Sequence, residues 1–198
     1  MDYCSRFRRL LHLQNQRTQK FGDYKTSKLI KQDVDSVLLA NELLFVLAES
    51  ALSVYNSISG LHLNSVQLGK TEKKKGSKKQ GQVIELNFDE RKILAFSRTI
   101  GKAVIVEKTK FIEFGETDQE FTFSPPDIPI QFSSSSAHLF SIDAEGTVSQ
   151  WQLLSNHRKM RTRIFKTNIP DPLSFDAHGD NRFSILTSEE LYFLILPE

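Results

Sequence analysis

Residues 92–107 read KILAFSRTIGKAVIVE, in which two apolar runs flank a short polar joint. Short runs rich in Ile, Val, Phe and Leu are typical of β-strands, and a polar joint between two of them predicts a hairpin turn. The turn at residues 143–147 is the clearest, because Gly146 adopts a positive φ at little cost. The same design occurs three more times, as LLFVLAESALSVYN (43–56), AHLFSIDAEGTVSQWQ (137–152) and NRFSILTSEELYFLIL (181–196). The sequence therefore predicts an all-β chain.

The four hairpins are spaced at a nearly constant interval. The first apolar residues after the turns are Leu52, Ala103, Val148 and Leu191, which lie 51, 45 and 43 residues apart. A repeat of about 40–45 residues with about four strands per unit is typical of β-propeller blades, and a lysine-rich insertion at residues 70–82 explains the longer first interval. A β-sandwich also contains many short strands, but the regular spacing favours the propeller. We predict a partial, WD40-like β-propeller of about three to four blades over residues 33–198.

The segments between the hairpins are also predicted to be extended. Strands are expected at residues 60–68, 81–88, 110–114, 119–123 and 161–166. The prolines of SPPDIP (124–129) predict a non-helical connection, because proline has no amide hydrogen to donate to a ladder. The serines at 133–136 are predicted to form a polar loop, and Trp151 is predicted to lie in the core. An arc of so few blades has an exposed blade edge, which normally needs a partner.

The composition limits the classes of protein that this chain resembles. Its 198 residues are 39% apolar and 25% charged, as expected of a soluble globular chain with one large domain or two small ones. The single cysteine, Cys4, excludes an internal disulfide and a thiolate metal cluster, and it fits a reducing compartment. No apolar run reaches the ~20 residues of a membrane helix, and the first residues do not resemble a signal peptide. The expected location is the cytosol or a cytosolic membrane face.

The formal net charge of +2 conceals two strongly basic segments. Residues 1–32 carry +6 and residues 70–82 carry +5, so the remainder carries −9. Residues 3–16 are predicted to form a short helix, because five apolar side chains cluster on part of the helical wheel: Tyr3, Phe7, Leu10, Leu11 and Leu13. Residues 17–32 are polar and basic and are predicted to be a flexible lead-in. With these side chains, Arg6, Arg8 and Arg9 form either a membrane-surface or partner-binding helix or a frayed end. The sequence leaves both interpretations open.

The second basic segment begins with the letters of a phosphate-binding loop, GKTEKKKGSKKQG (69–81). That loop requires a first glycine where Asn64 stands, and a helix must follow it, so a nucleotide site is not predicted. Five lysines are candidate contacts to an acidic lipid surface or a nucleic acid: Lys73, Lys74, Lys75, Lys78 and Lys79. The run has no interleaved aromatic residue for base stacking. The competing interpretation, which the composition favours, is a solvated loop between strands.

The candidate catalytic and metal-binding groups do not form a recognisable signature. No two of the five histidines have the spacing of metal ligands, and the sequence DAHGDN (176–181) is predicted to be a turn before a strand. No Gly-x-Ser-x-Gly elbow and no Cys/His nucleophile pair is present in the sequence. We therefore predict a chain that is not an enzyme and that uses no cofactor or metal.

Several phrases of the sequence resemble the citron homology domain of vacuolar-sorting tethering subunits of the HOPS and CORVET complexes, including those like the TGF-beta-receptor-associated protein. The resemblance spans residues 37–196. It rests on Leu52–Asn56 (LSVYN), on Lys75–Ser77 (KGS), and on residues 110–132, where a strand and an F-x-E-F-like phrase lead to the link Pro126–Pro129 (PDIP). Residues 162–175 are similar to a later Leu-Phe phrase of that family.

The resemblance implies a non-catalytic protein-interaction propeller in endosomal or vacuolar vesicle tethering. Its expected partners are tethering-complex subunits and a small GTPase, together with peripheral contact to endosomal or vacuolar membranes; a nucleic acid is not an expected partner. The alternative hypothesis is a WD40-type scaffold subunit of a nuclear or RNA-processing assembly, which the lysine cluster would also suit. An enzyme on a β-scaffold is the third and least favoured hypothesis.

Overall fold

The structure, a computed structural model, describes residues 33–48, 50–69, 81–153 and 159–196. These residues form fifteen strands and one helix, and the strands are grouped into four antiparallel sheets. The predicted N-terminal helix at residues 3–16, the whole basic segment 1–32 and most of the lysine-rich insertion lie outside the described residues. Among the residues that are described, no helix has the length and apolar character needed to cross a bilayer.

Each sheet is an up-and-down meander whose strands pair in chain order. The first contains β1 (Val34–Ala40), β2 (Leu43–Ala48), β3 (Ala51–Asn56) and β4 (His62–Gln67). The second contains β5 (Gly81–Glu85), β6 (Lys92–Ser97), β7 (Lys102–Glu107) and β8 (Gln119–Thr122), with helix α1 (Lys108–Phe114) between β7 and β8. The third contains β9 (Gln131–Ser134), β10 (Leu139–Ile142), β11 (Thr147–Leu153) and β12 (Lys159–Lys166). The fourth contains β13 (Ser174–Ala177), β14 (Arg182–Leu186) and β15 (Leu191–Ile195).

The four sheets are the blades of a propeller arc, which we number 1 to 4 in chain order. The first strands of successive blades, β1, β5, β9 and β13, lie next to one another and form the inner side of the arc. The predicted hairpins are the pairs β2–β3, β6–β7, β10–β11 and β14–β15. The prediction of an all-β partial propeller with three to four blades is therefore confirmed.

Apolar side chains fill the space between consecutive blades. The cluster between blades 1 and 2 includes Phe45, Leu47, Val54, Ile93 and Val104. The cluster between blades 2 and 3 is rich in aromatic rings, with Phe96, Phe121, Phe123, Phe132 and Trp151, so the predicted core position of Trp151 is confirmed. The cluster between blades 3 and 4 includes Phe140, Ile142, Phe175, Phe183 and Ile185.

The strand predicted at residues 110–114 is wrong, because this segment belongs to α1. A short apolar run does not distinguish a strand from a buried helical turn by its pattern alone. One tertiary contact and one local cap favour the helix. Phe111 is fully buried and stacks on Phe45 of blade 1, with 6.5 Å between ring centroids. Gly115 ends the helix with φ of 70°, and its N–H donates to the Phe111 carbonyl at 3.0 Å.

Candidate interaction site

A polar cleft of about 430 Å³ lies across the inner strands of blades 2, 3 and 4. Its lining includes Gln82, Glu85, Asn87, Ser133, Ser174 and Asp176. A second hollow of about 460 Å³ shares Glu85 and Asn87 with the cleft and adds Asn41, Glu90 and Lys108. Lys108 forms an ion pair with Glu85 at the boundary between the two. The inner side of the arc therefore presents amide, hydroxyl and carboxylate groups, which suit the binding of a polar or basic partner surface.

Polar side chains join each inner strand to the next one, and at two of the three junctions the side chain is a glutamine. The Gln82 Nε2 donates to the Phe132 carbonyl at 2.7 Å, and its Oε1 accepts from the Phe132 N–H at 2.7 Å. Gln131 repeats this two-sided contact on the backbone of Phe175, with both distances at 3.0 Å. At the first junction Ser36 Oγ accepts from the Val83 N–H at 3.0 Å. These bonds fix the floor of the cleft, because they satisfy backbone groups that the ladder within each blade does not reach.

We expect Gln131→Ala to lower the free energy of unfolding by roughly 2–4 kcal/mol, because it leaves one N–H and one C=O of Phe175 without their partner. Urea unfolding followed by the fluorescence of Trp151, the single tryptophan, would measure the change. Gln67→Ala is the matched control, since Gln67 is an exposed glutamine at the end of β4, and its change should stay within about 0.5 kcal/mol. Equal decreases in the free energy of unfolding in both variants would contradict the role of Gln131 in joining β9 to β13.

The serine tract is only in part the polar loop that its composition predicts: Ser135 and Ser136 lie between β9 and β10, but Ser133 and Ser134 belong to β9 and are buried. Ser133 Oγ donates to Asp176 Oδ1 at 2.7 Å and accepts from the Ala177 N–H at 2.9 Å. Ser134 Oγ accepts from the Asn87 N–H at 2.9 Å. Serine suits these positions since its hydroxyl donates and accepts at once, and the two residues link blade 3 to the blades on either side.

Ser135, His138 and Asp180 meet at the junction of blades 3 and 4, but not in the order of a catalytic triad. Ser135 Oγ donates to Asp180 Oδ1 at 2.7 Å, and His138 Nδ1 lies 3.0 Å from the same oxygen. A hydrolytic triad places the histidine between the serine and the carboxylate, so that the ring takes the hydroxyl proton. Here the carboxylate lies between them, so the serine hydroxyl donates to Asp180 and not to the histidine ring. The cluster connects two blades. Of the turn predicted at residues 176–181, residues 178–181 do lie between β13 and β14, whereas Asp176 and Ala177 belong to β13.

The two hydrogen bonds hold the pKa of Asp180 below its ordinary value of 3.8, with the contact to His138 contributing most and that to Ser135 next. Because the pKa is lowered in the folded state, ionised Asp180 stabilises the junction at neutral pH. That contribution is lost as the pH falls below 3.8 and through the lowered pKa. Among the described residues, no three His, Cys, Asp or Glu side chains are grouped to hold a metal ion.

The residues that the sequence nominated for contact with an anionic partner lie outside the described ranges. They are Lys73, Lys74, Lys75, Lys78, Lys79, Arg6, Arg8 and Arg9, and their role stays a prediction. Sequence analysis missed Gln82 and Gln131, whose shared signal is a glutamine at or next to the start of an inner strand. It also did not predict that Leu191, Phe193 and Ile195 of β15 would be exposed.

Comparison with known proteins identifies the fold. No protein-family model and no curated protein sequence matches the chain. The β-propeller domain of Cps50 (Swd1) from Myceliophteria thermophila is 8% identical with a TM-score of 0.61, and the match covers 84% of this chain and 55% of that one. A chain of the mitotic checkpoint complex is 12% identical with a TM-score of 0.60, covering 84% and 50%. The complex of KlAtg21 with the coiled coil of AgAtg16 gives 12% identity and a TM-score of 0.59, covering 85% and 54%. The chain spans about half the length of each of these proteins.

Proposed function

We propose that this chain is a non-catalytic protein-interaction propeller segment that acts in the tethering of endosomal or vacuolar membranes. The observation that carries the proposal is the arc of four blades, in which side-chain hydrogen bonds hold the inner strands together around a polar cleft. A rigid array of strands that presents polar groups is suited to recognising another protein surface. The proposed partners are tethering-complex subunits and a small GTPase.

Two further observations support a role in assembly. Two of the similar structures are, by their printed descriptions, the mitotic checkpoint complex and a complex of KlAtg21 with a coiled coil. The resemblance of residues 43–77 to the citron homology domain supplies the more specific expectation of membrane tethering. In residues 110–132 that resemblance is limited to the order of the phrases, because part of this segment is helical where a strand was expected.

The lysine-rich insertion has an ancillary role in the proposal. Its cations would draw the propeller toward an acidic lipid surface or an acidic partner, with a contribution of about 1 kcal/mol for each well-placed charge. The described strands on either side are compatible with a separate role for the insertion, because β4 and β5 belong to different blades. The insertion therefore joins two blades and interrupts neither sheet.

Affinity purification of the tagged chain from cells, followed by mass spectrometry, tests the proposal. The expected result is recovery of tethering-complex subunits or an endosomal GTPase, and localisation on endosomal or vacuolar membranes. A matched variant carries Lys73, Lys74, Lys75, Lys78 and Lys79 changed to Gln, and it should keep its protein partners while its sedimentation with acidic vesicles falls. Recovery of nuclear or ribosomal assemblies without trafficking proteins would overturn tethering and favour the scaffold of an RNA-processing assembly.

A further inference from the structure

Among the described residues, the last strand of blade 4 has an unpaired edge. Blades 1, 2 and 3 each have four paired strands, whereas the described part of blade 4 has three, in the order β13–β14–β15. β15 pairs with β14 from Leu191 to Ile195 and lies at the edge of this sheet. An unpaired strand edge presents a row of N–H and C=O groups to which another extended segment can add.

The direction of the backbone groups in β15 follows from the hydrogen bonds at its ends. The Leu196 N–H donates to the Asn181 carbonyl at 2.8 Å, and the Glu190 carbonyl accepts from the Thr187 N–H at 2.9 Å. Backbone groups alternate between the two edges of a strand, so the even-numbered residues from 190 to 196 point toward β14. Leu191, Phe193 and Ile195 therefore direct their N–H and C=O groups to the open edge.

The same three residues expose their side chains on one face of the sheet. The relative exposures are 54% for Leu191, 72% for Phe193 and 74% for Ile195, and Leu186, paired with Leu191, is 43% exposed. The opposite face, with Tyr192 and Leu194, packs against blade 3. In blade 2, by contrast, both faces of β6 are buried between neighbouring blades. The face of blade 4 that points away from blade 3 is therefore apolar, like the faces buried between other blades, but it is exposed.

The charge around this edge indicates the chemistry of its partner. Glu189 and Glu190 are exposed carboxylates in the turn that leads into β15, and Arg182, paired with Ile195 at the other end, is the single cationic side chain of the β14–β15 hairpin. The Tyr192 hydroxyl donates a hydrogen bond to the Glu190 carboxylate, which raises the pKa of Tyr192. The outer strand of blade 3, β12, reads KMRTRIFK, in which Lys159, Arg161 and Arg163 alternate with less polar residues. A strand of this composition matches both the acidic surroundings and the apolar face of β15.

We propose that the free edge of β15 binds an extended segment of a partner protein, in which basic and apolar residues alternate, as the fourth strand of blade 4. A second copy of the chain fits less well. Its own β15, LYFLI, has no basic side chain to alternate with the apolar ones, and the outward face of its blade 1 is already buried at Leu44, Val46 and Ala48. The inference rests on the proposed role as an interaction module, and it specifies one partner surface.

A peptide copy of β12 is a suitable probe. Fluorescence anisotropy should show that the labelled peptide KMRTRIFK binds the purified full chain with a Kd of roughly 10–100 μM, as expected of a short added strand. Hydrogen exchange should slow at the amides of Leu191, Phe193 and Ile195. Ile195→Pro removes one outward N–H without removing a β14–β15 hydrogen bond, and it should weaken binding at least tenfold.

Two controls separate strand addition from simple charge attraction. A peptide of equal charge with Thr162→Pro and Ile164→Pro should not bind, because proline cannot form the ladder. Leu39→Ser, at an exposed leucine of blade 1, is the matched control for Phe193→Ser and should bind the probe normally while Phe193→Ser does not. Equal binding of both peptides, or unchanged exchange at the three amides, would overturn the inference.

Other occupants of the edge give distinct results. If the chain forms concentration-dependent dimers in which the amides of Leu191, Phe193 and Ile195 are protected, the edge binds a second copy. If these amides are already protected in the free monomer, the edge binds another segment of this chain. Either result overturns the partner proposal. The probe assay contains no trafficking protein, so its failure leaves the tethering proposal to the purification experiment. A failed purification likewise leaves the strand-addition result unchanged.

Discussion

Phe96→Ala is expected to lower the free energy of unfolding by about 3–5 kcal/mol, the cost of removing a large aromatic side chain from a packed core. Phe96 is 1% exposed and lies at the centre of the cluster between blades 2 and 3. Its ring meets Phe132 edge-on with 5.0 Å between centroids and Phe123 with 5.9 Å. Because Phe123 also contacts Trp151, at 5.7 Å, the cavity would loosen a whole aromatic layer.

The measurement is urea unfolding monitored by Trp151 fluorescence. Phe114→Ala is the matched control, since Phe114 is 66% exposed at the end of α1, and its effect should stay near 0.5 kcal/mol. If Phe96→Ala unfolds at the same urea concentration as the native chain, the aromatic cluster does not hold blades 2 and 3 together as described.

Gly146→Ala is expected to cost roughly 2–4 kcal/mol, from a left-handed backbone and a steric clash together. Gly146 has φ of 77° in the turn between β10 and β11. A Cβ at this position would overlap the carbonyl oxygen of Ile169 and lie 2.9 Å from Thr167 Oγ1. The clash cannot be relieved by a rotamer change, because the Ile169 carbonyl is backbone and Thr167 donates its hydroxyl to the Gly146 carbonyl at 2.7 Å.

Gly179→Ala separates the two contributions. Gly179 also has a positive φ, of 131°, but a Cβ there would meet no atom within 4 Å. We expect only the conformational part of the cost, about 1–2 kcal/mol. Thermal unfolding of both variants would show the difference, and a Gly146→Ala loss no larger than that of Gly179→Ala would exclude the clash with the 167–169 segment.

The candidate site was less predictable than the fold. Gln82 and Gln131 are ordinary surface residues by type, and their role arises only when neighbouring blades place Phe132 and Phe175 within hydrogen-bond distance. Ser135 and Asp180 are 45 residues apart in the chain, and no local pattern relates them. The free edge of β15 depends on how many strands its sheet contains, which the sequence of the hairpin does not state.

By itself the sequence determined the hairpins, their spacing and therefore the propeller blades, because strand composition and turn chemistry act over a few residues. It also determined that Gly146 would make a turn. Only the tertiary structure decided that residues 110–114 are helical, that Ser133 and Ser134 are buried cross-links, and that the Leu191–Ile195 face is left uncovered. The helix and the buried serines depend on contacts between residues about 40 or more positions apart, which form only when one blade packs against the next. The exposed face is where the described residues make no such contact.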